Sequence, residues 1–399
     1  MEKANHRRVF LKSAGAAMLP ALLPALPAWA ANSENTIAAT QQPYVKFYGD
    51  GDMLEPEEYL QVLNELQAAG KIERDRYGAG GSVEALEKEM ARITGKEKAI
   101  FLPSGTLANQ LAISLLSGSN TKVYVQDLSH VYRDEADAAQ TVFSKRLMPL
   151  GGEKAFFTAA ELKAAIDKLP EQEVFSSGIG AVSIENPVRR ANGQLVPLEE
   201  IKAISAYCKE KQLPLHLDGA RIFMTAAWSG HSVATYARYF DTVYISLYKY
   251  LGASSGAVLC GSQAHISQVS HLMKIHGGTM YGNWTNAAMA LHRLDGFENR
   301  LQQAILAFGK ISELLPKIPG FAVQPIPGGT NIYTLQLPAL DAQIFQEEMR
   351  DQYRIRLPRP DEKNRVLLTV NETLLYRTPE EIYTAFSNSV KKATKAARR

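Results

Sequence analysis

Short uninterrupted apolar runs alternate along the chain with stretches in which apolar residues recur every three or four positions. Ala99 to Leu102, Val123 to Val125, Ala181 to Ile184, Leu215 to Leu217 and Val243 to Ile245 are runs of the first kind. They are short, rich in β-branched residues and end at polar ones, the pattern of strands buried in a parallel sheet. Between them Val83, Leu86, Met90 and Ile93 fall at helical spacing behind Ser82, which reads as an N-cap. This alternation predicts an α/β fold with a mostly parallel sheet. From about Asn283 the pattern becomes helical, Ala287 through Leu315, with a break expected at Gly296. Pro316, Pro319, Pro325 and Pro327 then punctuate shorter segments, which read as a smaller α+β domain. The expected organisation is a large domain over 59–290 and a small C-terminal domain over 291–399. The basic tail from Lys391 reads as a solvated last helical turn that complements the helix dipole.

Charge changes the picture only at the amino terminus. The formal net charge is +3 over 399 residues. Lys3, Arg7, Arg8 and Lys12 against Glu2 supply all of it, so the remaining chain is neutral and a nucleic-acid partner has no electrostatic support. Arg7-Arg8-Val9-Phe10-Leu11-Lys12, an apolar stretch and Ala28-Trp29-Ala30 together read as a twin-arginine signal over 1–30. Pro20, Pro24 and Pro27 suit a cleavable signal rather than a spanning helix. The expectation is a periplasmic protein with no stable membrane span after cleavage, and with an N-terminal arm over 31–58. Cys208 and Cys260 are the only cysteines and read as small buried residues; no spacing suggests a metal site.

The polar candidates all stand at the carboxyl ends of the expected strands, where open α/β sheets bind ligands. Pro103-Ser104-Gly105-Thr106 opens a helix whose free N–H groups can hold a phosphate. Ser129-His130 closes the next strand, and its histidine could stack on a ring or move protons. Asp134 and Glu135 follow, with helix-terminal acids as the plain reading. Arg189 and Arg190 follow Glu185-Asn186, where a guanidinium can fork onto a carboxylate. Asp218-Gly219-Ala220-Arg221 closes a further strand. Lys249, 31 positions after Asp218, follows the strand ending at Ser246 and precedes Gly252-Ala-Ser-Ser-Gly256. An acid and a lysine on neighbouring strand ends suit pyridoxal phosphate: the lysine forms a Schiff base with the aldehyde, and the acid keeps the ring nitrogen protonated. Tyr248, Tyr250 and Leu251 would lower the polarity around the amine.

With these motifs in this order the chain resembles the threonine aldolase and aromatic amino acid β-eliminating lyase family of fold type I pyridoxal-phosphate enzymes. The resemblance runs from about Tyr77-Gly78 to Gly282. It rests on Pro103 to Thr106, Ser129-His130 with Glu135, Ile184-Glu185-Asn186 with Arg190 and Val196-Pro197-Leu198-Glu199, His216 to Arg221, and Lys249. It implies a transferase-like large domain and a cofactor held by Ser104, Gly105, Thr106, His130, Asp218, Arg221, Ser246 and Lys249. It further implies catalytic roles for Lys249, His130 and Glu135, a substrate carboxylate on Arg190, and a homodimer or homotetramer. The departures are specific. Tyr248 and Tyr250 flank the lysine where Ser and Gly are usual, which suggests a narrowed site. Tyr281 ends Gly277-Gly278-Thr279-Met280-Tyr281 where an arginine is usual. Gly49-Asp50-Gly51 stands for Ser-Asp-Thr, and Arg365 falls one place from a carboxylate-clamping arginine. The expected function is a lyase acting on a β-hydroxy or β-substituted amino acid. A periplasmic aminotransferase acting on a larger exported substrate, and a non-catalytic binding protein, stay open as alternatives.

Overall fold

Seven strands make the main sheet in the computed structural model, which describes residues 42–397. The expected signal over 1–30, and the arm up to residue 41, lie outside the described residues. In chain order the strands are β1 (Val45–Lys46), β2 (Lys98–Leu102), β3 (Lys122–Gln126), β4 (Arg146–Leu150), β5 (Ile179–Glu185) and β6 (Leu215–Asp218). They continue as β7 (Thr242–Ser246), β8 (Ala257–Gly261), β9 (Ala322–Pro325), β10 (Ile332–Gln336), β11 (Ile355–Arg356) and β12 (Arg365–Thr369). The main sheet has the order β2-β8-β7-β6-β5-β3-β4. β4, β3, β5, β6 and β7 pair in parallel. β8 runs antiparallel to both β7 and β2, so β2 points the same way as the parallel set. Six carboxyl ends therefore meet at one edge.

All five apolar runs are strands of this sheet. β4 has no such run because it is an edge strand: only Leu147 is buried, and Pro149 is tolerated there. The register does more for the site than the order. Glu185 stands opposite Asp218, and Asp218 opposite Tyr244. Three strands thus deliver three polar side chains in one row.

Two helix starts position the rest. The helix Gly81–Thr94 begins one residue before the expected cap, and Ser82 is not its cap; its hydroxyl accepts the Glu73 N–H at 3.1 Å. Gly81 has φ +57, and a Cβ there would lie 2.5 Å from the Arg74 carbonyl oxygen. The helix Gly105–Ser117 is capped by Ser104, whose Oγ accepts the Leu107 N–H at 3.3 Å. The expected break at Gly296 separates the helices Trp284–Leu294 and Phe297–Leu314, with φ +67 at the glycine.

A second apolar core lies on the antiparallel sheet β12-β10-β9 and the helices Ala342–Tyr353 and Pro379–Ala397. Val45 and Phe47 belong to it, because β1 pairs in parallel with β11. The start of the described chain is thus packed with its end. Lys391, Lys392 and Lys395 are exposed on the last helix. Cys208 and Cys260 are buried and unpaired, and burial pushes both thiols up to about 12. Among the described residues no helix is long and apolar enough to cross a membrane.

Phe386 is fully buried and touches the rings of Phe47, Phe321 and Phe345. Phe386→Ala is expected to lower the unfolding free energy by about 3–5 kcal/mol in urea titration, through lost contacts and a residual cavity. A loss below about 1 kcal/mol would contradict this packing.

Candidate active site

A cavity of about 260 Å³ opens at the edge where the six carboxyl ends meet. It is lined by the start of the helix Gly105–Ser117, by His130 and Glu135, by the row Glu185, Asp218 and Tyr244, and by Arg221 and Lys249. Ser254, Ser255 and Gly256 close it from the loop after the lysine. The volume is near the lower end of small-molecule sites, enough for one compact cofactor with little to spare.

At one end the N–H groups of Gly105 and Thr106 have no acceptor among the described residues, since Ser104 serves Leu107 and Ala108. This is an anion cradle. A Cβ at position 105 would lie 2.0 Å from the Tyr244 hydroxyl, so only glycine fits beneath that phenol. At the other end Asp218 accepts the Ala220 N–H on Oδ1 at 3.1 Å and the Asn109 amide on Oδ2 at 2.9 Å. The same amide donates to Glu135 Oε1 at 2.8 Å, and His130 Nδ1 lies 3.1 Å from that oxygen. Glu185 accepts the N–H groups of His130 at 2.6 Å and Arg189 at 2.9 Å, and so fixes the turn that carries His130.

Burial dominates the electrostatics. It raises Glu185, helped by the charge of Asp218. It also raises Glu135, against the hydrogen bonds from His130 and Asn109. Glu135 Oε2 has no hydrogen-bond partner, one reason its charge is costly. His130 is raised by its bond to Glu135, against burial. His130 Nδ1 lies against Glu135 Oε1, which also receives the Asn109 amide, and His130 Nε2 has no partner among the described residues. Lys249 is lowered to about 8, by burial first and then by the Arg221 guanidinium, against the pull of Asp218, Asp50 and Glu185. An amine in that range is partly neutral near physiological pH.

The structure thus brings Ser104, Gly105, Thr106, His130, Glu135, Asp218, Arg221 and Lys249 to one cavity. Glu135 is not a solvated helix-terminal acid but a buried partner of His130. Two expectations are corrected. Arg190 does not line the cavity: the short 3-10 turn Arg189–Ala191 carries it to the surface, where its Nε donates to Asp134 Oδ2 at 2.9 Å. The guanidinium inside is Arg221, whose Nε is held by Asp50 Oδ2 at 2.7 Å while its Nη atoms have no partner among the described residues. Ser246 does not line the cavity either; it is fully buried, and Tyr244, two positions earlier on the strand, lines it instead. Of the two tyrosines beside the lysine only Tyr248 lines the cavity. Tyr250 turns into the core, stacked on Phe297 at 5.5 Å and edge-on to Phe223, so it does not narrow the site. Gly51 packs on its backbone, with a Cβ there 2.6 Å from Tyr250 Cα. Arg365 is ion-paired to Asp361 outside the cavity, and Tyr281 pairs with the exposed ring of Tyr77. Sequence reading missed Asn109, Tyr244 and Asp50. Tyr244 stands two residues before Ser246, and only the strand register sets it beside Asp218; Asn109 lies on the helix that opens at Gly105, behind the cavity.

An anion cradle, a buried acid and a lysine of lowered proton affinity, on a sheet of this order, define a pyridoxal-phosphate enzyme of fold type I. Comparison with known proteins agrees. The β-eliminating lyase family model matches residues 61–336, and the chain belongs to that family. Its cofactor is pyridoxal phosphate. The chain is 29% identical over 276 residues to the low-specificity L-threonine aldolase of Candida albicans, with 68% of this chain and 72% of that one covered. It is 30% identical over 243 residues to the low specificity L-threonine aldolase of Escherichia coli strain K12, covering 61% and 72%. Against the Saccharomyces cerevisiae relative the match spans only 55% of that protein's length. Among solved structures, a candidate aromatic amino acid β-eliminating lyase/threonine aldolase from Exiguobacterium sp. 255-15 superposes with TM-score 0.72 at 25% identity, over 88% of this chain and 97% of that one. The residues present fit the cofactor: Gly105 and Thr106 can take its phosphate, Asp218 its ring nitrogen and Lys249 its aldehyde carbon.

Only the neutral amine reacts with acylating reagents, so labelling of Lys249 in the cofactor-free protein should rise with pH about a midpoint near 8. Surface lysines should follow about two units higher, near 10.4. Peptide mapping after pulse labelling reads this directly; a Lys249 midpoint indistinguishable from the surface lysines would refute the buried-amine geometry.

Proposed function

We propose that the protein is a lyase that cleaves the Cα–Cβ bond of a β-hydroxy-α-amino acid, releasing an aldehyde and a smaller amino acid. The observation that carries this reading is His130: its ring lines the same cavity as Lys249, with Nδ1 tied to Glu135 and Nε2 unpartnered. Two relatives are named for L-threonine, a β-hydroxy amino acid, which points to the same bond.

Pyridoxal phosphate, once its aldehyde carbon is released from Lys249 to the substrate amine, would supply an electron sink next to the substrate Cα. The chain's own residues do the rest. Arg221, anchored at Nε by Asp50, can fork its free Nη atoms onto the substrate carboxylate. His130 Nε2 takes the β-hydroxyl proton as the Cα–Cβ electrons withdraw toward Cα, and the hydroxyl-bearing carbon leaves as the aldehyde. Glu135 stabilises the imidazolium that forms. Lys249, titrating near 8, can return a proton at Cα near neutral pH. Asp218 keeps its carboxylate toward the ring nitrogen through its bonds to Ala220 and Asn109.

Two further proposals concern the setting. We infer a homodimer or homotetramer. Support comes from Tyr77, Ile275, Met280 and Tyr281, which are exposed on or beside two segments joined by the Tyr77–Tyr281 ring pair. We also infer export to the periplasm, on the strength of Arg7-Arg8 and the apolar stretch behind it.

Incubation with L-threonine, L-allo-threonine and β-phenylserine should yield aldehyde in a coupled dehydrogenase assay, and Lys249→Ala should abolish both aldehyde and the visible colour of the cofactor. Arg221→Lys should raise KM by about tenfold with a smaller effect on kcat, because the fork is lost and the charge kept. The acidic limb of kcat/KM should lie above about 6.5, since His130 must be neutral to accept the proton and Glu135 raises it. A keto acid in place of aldehyde from every substrate would replace this reading by transamination. Native mass spectrometry giving a stable, active monomer would remove the oligomer proposal. A precursor that is still exported and processed after Arg7 and Arg8 are both changed to Lys would remove the twin-arginine route.

A further inference from the structure

Asn109 is 1% exposed and does not line the cavity, yet three polar side chains of the site region converge on it. Its Nδ2 donates to Glu135 Oε1 at 2.8 Å and to Asp218 Oδ2 at 2.9 Å. Its Oδ1 lies 3.0 Å from His216 Nε2. His216 Nδ1 is 2.8 Å from the Thr242 hydroxyl. His130 joins through the other side of Glu135 Oε1.

The hydrogen inventory leaves one arrangement. A primary amide has two N–H donors, and both face carboxylates. Its oxygen must then accept, so His216 carries its proton on Nε2. His216 Nδ1 accepts from Thr242. Burial pushes His216 down to about 4, so it stays neutral and cannot reverse the sense of the chain. The flipped amide would set its oxygen against the oxygens of two acids. The polarity Thr242 to His216 to Asn109 to the two acids is therefore built in.

We propose that Asn109 is a positioning residue that locks Asp218 and Glu135 onto one amide, and so couples the acid facing the cofactor's ring nitrogen to the histidine that moves protons. Asp218 has one other donor, the Ala220 N–H, on its other oxygen. Glu135 has one other partner, His130. Without the amide, Asp218 Oδ2 has no donor and Glu135 Oε1 keeps His130 alone, and two buried acids face each other with nothing shared between them. Arg221, Lys249, Glu185 and Asp50 are the other charged groups around this pair, and they are held by other elements. The proposal rests on the cofactor assignment and is independent of which β-hydroxy amino acid is cleaved.

Asn109→Leu keeps the size and removes both donors; Asn109→Ser keeps one donor, which can serve only one acid. Two readouts separate positioning from mere stability: the dissociation constant of pyridoxal phosphate from the refilled protein, and the pKa of the visible band of the holoenzyme. For Asn109→Leu the cofactor should bind at least about tenfold more weakly. The band pKa should rise by about half a unit or more, because a ring nitrogen held less firmly protonated withdraws less electron density. Asn109→Ser should fall between Leu and the unchanged protein. A lower melting temperature with both values unchanged in Asn109→Leu would overturn the proposal. Should that variant not fold, Asn109→Ser decides: intermediate values support the coupling, and values equal to the unchanged protein overturn it. If the unchanged protein itself gives no Lys249-dependent colour, the cofactor assignment fails and the role of Asn109 falls with it, an outcome distinct from the others.

Discussion

Four carboxylates crowd the carboxyl edge of one sheet: Asp50, Glu135, Glu185 and Asp218, three of them almost wholly withdrawn from water. Burying like charges together is expensive unless each finds donors or a counter-charge. Asp50 takes Arg221, Glu185 takes two backbone N–H groups, and Asp218 and Glu135 share an amide. Burial first, and then the charge of Asp218, pushes Glu135 and Glu185 toward their neutral forms. The cavity is thereby tuned for a guest with a protonated ring nitrogen and an anionic tail. The acids face one part of the guest and the free helix N–H groups the other.

Much of this was legible before any coordinates. Strand runs and the Gly296 break show in the apolar pattern because burial on both faces leaves no polar alternation. Lys249 and Asp218 are legible because each closes a strand, and parallel strands end at one edge. What was not legible depends on direction rather than place. Arg190 and Arg221 both follow strand ends, and only the turn after each decides which faces in; a 3-10 turn swings Arg190 out to Asp134. Ser246 and Tyr244 share a strand face, but a serine cannot reach past a phenol. Tyr250 next to the lysine read as a wall of the site, whereas the aromatic pocket of Phe223 and Phe297 claims it.

The same contrast explains the departures from the family pattern. At Gly51, where a threonine is usual, a Cβ would lie 2.6 Å from the Tyr250 Cα, so the close approach of that backbone calls for glycine. Gly105, which keeps the family pattern, is held by the same kind of limit, with the Tyr244 phenol filling the space below the anion cradle.

Lys46 hydrogen-bonds through its N–H to the Thr373 hydroxyl, 327 positions away, and Asn371 holds the Gly49 carbonyl at 3.0 Å. The strand that carries Asp50 to Arg221 is therefore among the first described parts to be synthesised and among the last able to find its partners. Until residues 371–373 exist, the segment that carries Asp50 to Arg221 lacks the hydrogen bonds that tie it down. The guanidinium that faces the cavity is thus steadied, through Asp50, by residues from the far end of the described chain.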